Sequence, residues 1–209
     1  MSQLLNGNTA PSPEDMIGQG VVISSSAMVS TSAVIEGDVF IGPGTIVNPL
    51  CEIRAKHGPI CIGEDNIFEE HTKVFSVSTE NTEYEQTCGM VIGTLNLFEV
   101  GSVIEALEVG NCNVIEIKAH LKRLCTVTNG CVIGTMTEVE QNKKLENHSV
   151  IFRNGKNSFT RVQPRSHTLH FSMFRKYLDS LREPDSKTNH ANWHTLQSSN
   201  NVHGVSIAN

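Results

Sequence analysis

The side chains of this chain with the most chemistry in them are nine histidines and six cysteines. A zinc catalyst would need three converging ligands and an open position for water. An acid–base catalyst would need one histidine beside a substrate hydroxyl or amine. His71, His120 and His148 stand alone along the repetitive part of the sequence, and His57 lies in a break of its pattern. His167, His170, His190, His194 and His203 lie beyond it. The cysteines (Cys51, Cys61, Cys88, Cys112, Cys125, Cys131) contain no C-x-x-C pair. The opening MSQLLNGNTAPSPED lacks a basic stretch followed by an apolar one, so no secretory leader is expected and the thiols read as reduced. Cys125 and Cys131 fall at repeat positions where a compact side chain fills space.

Whether such residues can meet depends on the elements that carry them. From Val109 an aliphatic residue recurs at every sixth position: Ile115, Leu121, Val127, Ile133, Val139, Leu145 and Ile151. An earlier run uses Ile23, Val29, Ile35, Ile41, Val47 and Ile53, and Ile62, Phe68, Val74, Ile92 and Phe98 continue it. Helices repeat near 3.6 residues and strands at two, so a strict hexad marks a solenoid whose chain turns a corner every six residues. The expected fold is an all-β solenoid, a parallel β-helix of hexapeptide repeats, with these nineteen anchors lining its core and a C-terminal α-helix. Slim residues four places after the anchors (Ala27, Thr45, Cys51, Ala119) suit tight corners. Glycines directly after anchors (Gly42, Gly63, Gly93, Gly110, Gly134) suggest positive φ there. Asn66, Asn96 and Asn113 each open an Asn-x-x-Glu segment, and stacked corner asparagines would bond to backbone or to one another.

The expected organisation is a loose N-terminal tail at 1–19, the β-helix at 20–155, a linker and helix at 156–184, and a disordered tail at 185–209. Three breaks interrupt the register. Extra residues surround His57-Gly58-Pro59. Between Val74 and Ile92 the hexad positions fall on Glu80 and Gln86, so 76–89 reads as an extruded acidic loop. Between Phe98 and Val109 either Val103 or Ile104 is the anchor. Over 168–181, Leu169, Phe171, Phe174, Tyr177, Leu178 and Leu181 share one helical side. Phe75, Val77, Phe171, Phe174 and Tyr177 are the candidate partner contacts.

Function classes can then be tested. The net charge of −6 argues against nucleic acid, and no apolar run is long enough for membrane insertion. Gamma-class carbonic anhydrases use an H-x4-H pair, and no pair in the repeats has that spacing. Hexad acyltransferases use a lone histidine at a subunit interface, so His71, His120 or His148 could serve, but the acidic stretch would repel coenzyme A. No phosphate loop is present. No catalytic residue, metal or cofactor is expected, and such an enzyme remains the alternative.

The strings GPICIGEDNIFEEHTKV, MVIGTLNLFEVGS, VGNCNVIEIKAHL, NGCVIGT and HTLHFSMFRKYL, in this order, resemble the dynactin subunit 6 family over about 22–181. The resemblance implies left-handed winding and a non-catalytic, scaffolding role in the pointed-end subcomplex of dynactin. Implied partners are dynactin subunit 5 as heterodimer partner, dynactin subunit 4 and the pointed-end actin-related protein, with dynein and cargo adaptors engaged indirectly. Implied locations are the cytoplasm and cytoskeleton, and the kinetochore in mitosis. One feature departs from the family. The tail from Asp185 has no Ser-Pro or Thr-Pro; Ser12-Pro13 lies at the other end. Proline-directed phosphorylation of the tail is therefore not carried over.

Overall fold

The computed structural model describes residues 10–78, 89–154, 157–162, 168–182, 193–194 and 205–208. It is a parallel β-solenoid of about seven coils with three flat faces. Short strands stack in register from coil to coil, one pair of residues above the next.

On the first face Ile23, Ile41, Ile62, Ile92, Val109 and Val127 form one inward column. On the second, Val29, Val47, Phe68, Phe98, Ile115, Ile133 and Ile151 do so. On the third, Ile35, Ile53, Val74, Ile104, Leu121 and Val139 do so. The columns merge with Leu145 into one axial core. Phe68 and Phe98 stack with ring centroids 4.6 Å apart. The column side chains are buried, except that Ile35 is only half-buried. Its strand segment belongs to the first coil and pairs, among the described residues, on one side only. Ile104 takes the inward place at the short step, and Val103 faces out.

The corners correct one expectation. The glycines after the anchors do not adopt positive φ; that conformation falls two residues later, at Gly44, Asp65, Leu95, Cys112 and Met136. What excludes a side chain at Gly63 is the next coil, since a Cβ there would lie 2.6 Å from the Gly93 carbonyl oxygen. At Gly110 it would lie 2.6 Å from the Thr128 carbonyl oxygen. Close approach of stacked backbones, not handedness, demands glycine.

Asn66, Asn96 and Asn113 are fully buried at the first corner and form a ladder. Asn96 Nδ2 donates to Asn66 Oδ1 at 2.9 Å, and Asn113 Nδ2 donates to Asn96 Oδ1 at 3.0 Å. Their second Nδ2 protons reach the carbonyls of Gly93, Gly110 and Thr128. Two glutamates of the same repeats, Glu99 and Glu116, cap the next coil at the second corner. Glu99 accepts from the Ile117 N–H at 3.0 Å and Glu116 from the Thr135 N–H at 2.8 Å.

The ends of the chain depart from the expected boundaries. Residues 10–19, within the expected loose tail, include a short 3-10 helix, Glu14–Met16, that seats Met16 against Val22, Phe40 and Cys61. Those three point outward from the first face, and covering them removes apolar surface from water. Past the last coil, Ser149–Asn154 and Asn157–Val162 form an antiparallel hairpin that crosses the expected boundary at 155. Such pairing gives the last strand of the second face a partner in place of an open edge. Within the tail expected to be disordered, Trp193–His194 pairs with Met28–Ser30 and Val205–Ala208 pairs with Val21–Ser24. Residues 79–88 of the expected acidic loop lie outside the described residues, while 76–78 continue along the solenoid.

Candidate interaction surface

The lone histidines do not converge. His71 is exposed at the second corner in left-handed conformation. His148 is half-buried at the first corner, four coils further on. His120 faces out from the third face, its Nε2 2.8 Å from the Glu105 carboxylate. Among the described residues no three His, Cys, Asp or Glu side chains group as metal ligands would. Burial pushes the Cys51, Cys61 and Cys125 thiols up to about 12, so they are neutral at physiological pH and poor nucleophiles.

The outward side chains differ from face to face. The third face is charged. Arg54 pairs with Glu36 and Glu52, Lys73 with Glu52, and Lys122 with Glu138. The second face is apolar on its outside as well. Met28, Ile46, Ile67, Leu97, Val114, Val132 and Val150 occupy successive outward places. A sheet with two apolar sides needs a cover. Helix α1 (Thr168–Arg182) supplies it over the earlier coils, where Phe174, Leu178 and Leu181 pack on Ile46, Ile67, Leu95 and Leu97.

The helix is also clamped by charge. The Tyr177 hydroxyl donates to Glu69 Oε1, while Asn48 Nδ2 donates to Glu69 Oε2 at 3.1 Å. Burial holds the Glu69 carboxyl above the usual carboxylate range; the Tyr177 bond opposes this and Glu70 adds to it. A carboxyl raised in the folded state stabilises fully below its unfolded value, about 4.3, and loses that contribution as pH rises through the folded one. Tyr177→Phe removes a donor that favours the ionised form. The variant should therefore lose about 1 kcal/mol at neutral pH, and less at pH about 4. Thermal melts at the two pH values test this; an equal loss at both would contradict it.

The expected partner contacts separate on these observations. Phe174 is buried under the helix and Val77 is only 7% exposed, so neither offers surface to a second chain. Val77 lies inward because the chain continues along the solenoid edge through Ser78. Phe75 is half-buried, and the Phe171 side chain lies outside the described residues. Tyr177, 40% exposed, remains available on its outer side.

The sequence reading missed a ridge along the second corner. Leu50 (51% exposed), Val100 (38%), Ile117 (42%) and Met136 (56%) project from it. Corner backbones stack here, with His71 N–H donating to Pro49 O, Gly101 to Glu70 O, Lys118 to Val100 O and Met136 to Ile117 O. Leu50 and Met136 have φ of 62° and 54°. Left-handed backbone costs a branched or long residue roughly 1–2 kcal/mol, and exposure of its side chain adds a second penalty. Gly101 shows that the corner can be made without either. The available signal was an apolar residue two or three places after the second-face anchors Val47, Phe98, Ile115 and Ile133, a position that should be polar if it only met water.

Similar proteins sharpen this picture. No protein-family profile matches the chain. The chain is 36% identical over 175 residues to dynactin subunit 6 of Danio rerio, covering 80% of this chain and 89% of that one. It is 37% identical over 177 residues to dynactin subunit 6 of Xenopus tropicalis, covering 82% and 87%.

The chain belongs to the dynactin subunit 6 family.

Among solved structures, an N-acyltransferase from Bacillus cereus superposes with a TM-score of 0.56 at 14% identity, covering 83% of this chain and 99% of that one. At that identity the likeness concerns the fold alone: family and neighbour share the left-handed parallel β-helix of hexapeptide repeats.

Proposed function

We propose that the chain is a non-catalytic subunit of dynactin, seated in its pointed-end subcomplex. In this reading it pairs with dynactin subunit 5 beside dynactin subunit 4 and the pointed-end actin-related protein. Through that assembly it supports dynein-driven transport along microtubules and engagement of cargo adaptors, in the cytoplasm and on the cytoskeleton. The observation that carries the reading is the 36–37% identity to dynactin subunit 6 over four-fifths of the chain. The ridge at Leu50, Val100, Ile117 and Met136, with Tyr177 beside the second corner, supplies apolar surface for a neighbouring subunit.

The test is affinity purification of the tagged chain from cells. Dynactin subunits should return at near-equal ratio with the wild-type chain. Ile117→Asp/Met136→Asp should lose them while melting at the wild-type temperature, because both side chains already face water. Recovery of the chain alone from wild-type cells would overturn the reading.

The His120–Glu105 pair favours one competing reading, acyl transfer, since a carboxylate can orient a histidine base. Under the scaffold reading purified protein binds neither coenzyme A nor zinc. Saturable coenzyme A binding that His120→Ala impairs would establish the enzyme instead.

A further inference from the structure

The first coil ends the stack, so its strands have an edge with no coil beyond it. Two of its three faces are closed by strands from the other end of the chain. Val205–Ala208 pairs in parallel with Val21–Ser24, and Trp193–His194 pairs antiparallel with Met28–Ser30. The third face has no such strand among the described residues, since Val34–Gly37 pairs only with Glu52–Ala55 of the second coil. The inward anchors record the difference. Ile23 and Val29, on the faces with an added strand, are 7% and 4% exposed, whereas Ile35 is only half-buried.

Register and sequence both fit the parallel strand to its place. Val205 and Ile207 stand opposite Val21 and Ile23, and Ser206 stands opposite Val22. Ile23 and Ile41 belong to an inward column, so Ile207 takes the next register position of that column. Apolar, polar, apolar is the order a strand needs when one of its faces lies on a core. The pairing uses backbone groups and register positions that every copy of the chain presents. Residues 183–204 connect helix α1 to this strand, and a chain of that length spans up to about 75 Å when extended. Seven coils at ~4.8 Å make a solenoid about 30 Å long. The tether therefore reaches the first coil of a neighbouring molecule as well as its own. Strands of four and two residues at the end of a stack also open at a small fraction of the global unfolding free energy.

We propose that the edge of the first coil, Val21–Ser24 with Met28–Ser30, is a strand-acceptor site whose partner is the C-terminal strand of a second copy of this chain, in exchange with the chain's own. The same residue pairs form in either case, so the exchange loses no contact and joins two molecules. Within one molecule the tether holds the tail at an effective concentration on the order of millimolar, which keeps the edge closed in dilute solution. The site does not rest on the dynactin reading.

The test uses the full chain, its Ile207→Asp variant and a fluorescent peptide of residues 203–209. Ile207→Asp puts a carboxylate at an inward register position and should free the edge. The wild-type peptide should then bind the variant saturably by anisotropy. It should bind the wild-type chain at least about tenfold more weakly, because the chain's own strand competes. A peptide carrying the same Ile207→Asp change should not bind. Hydrogen exchange at Val21–Ser24 should speed up in the variant and slow again on adding the peptide. Exchange at Ile133 should stay as in wild type, which shows that the stack remains folded. At about 1 mM, where chains meet as often as the tether brings a tail to its own edge, light scattering should show a wild-type dimer fraction that Ile207→Asp lacks. Absence of peptide binding to Ile207→Asp, equal affinity for the two chains, or the same mass for both at 1 mM would each overturn the proposal.

Discussion

Ile133→Asp is expected to abolish the folded solenoid. Ile133 is fully buried, with Ile115 and Ile151 in register on either side and the anchors of the other two faces across the axis. The core around it holds aliphatic and aromatic side chains, a thioether and thiols, so an aspartate there would find no donor stronger than a thiol S–H. A buried, unpaired carboxylate costs several kcal/mol even after it takes up a proton, against a total stability of roughly 5–15 kcal/mol. The loss falls in the middle of a stack where each coil supports the next, so it should propagate to both sides. Val132→Asp is the matched control, because Val132 points out of the same strand and is only half-buried. Circular dichroism and thermal melts should show Ile133→Asp unfolded or aggregated and Val132→Asp folded. A folded Ile133→Asp protein with the wild-type melting temperature would overturn the axial-core assignment.

The second large effect is expected at the asparagine ladder. Asn96 Nδ2 donates to Asn66 Oδ1 and to the Gly110 carbonyl, and Asn96 Oδ1 accepts from both the backbone N–H and the Nδ2 of Asn113. Asn96→Ala strips partners from several groups that are sealed from water, each worth about 1–3 kcal/mol when left unsatisfied. Relaxation recovers part of this, so a net loss of about 3–5 kcal/mol is expected. The chain contains its own control. Asn111, Asn129 and Asn147 form a second ladder of backbone-to-side-chain bonds in contact with solvent. Water replaces those partners, so Asn129→Ala should cost less than about 1 kcal/mol. Urea unfolding of the two variants compares them directly; equal losses would show that burial is not what gives the inner ladder its weight.

Much of the architecture was legible in the residues, for a definite reason. In a solenoid each coil repeats the last, so the burial of one residue is printed again six, twelve and eighteen places on. Ile23, Ile41 and Ile62 report the same environment despite the insertion between the last two. The corner asparagines were visible on the same logic. The Ser76–Val77 segment, the helix 10–19 seats and the hairpin after Ser149 were not, because each occurs once and its neighbours come from distant sequence. The histidines show the opposite case: their isolation in the sequence already argued against a shared site, and the fold places His71, His120 and His148 on different corners and faces.

By itself, then, the chain's sequence determined the period, the inward columns, the corner ladder and the family, because all four depend on local spacing or residue identity. Only the tertiary structure decided why glycine follows the anchors, which outward apolar residues the helix covers, and which are left along the second corner. It also decided that Val205–Ala208 pairs with the first coil. Those outcomes depend on what lies one coil above or one face across, and the 2.6 Å that would separate a Cβ on Gly63 from the Gly93 carbonyl oxygen cannot be read from either residue alone.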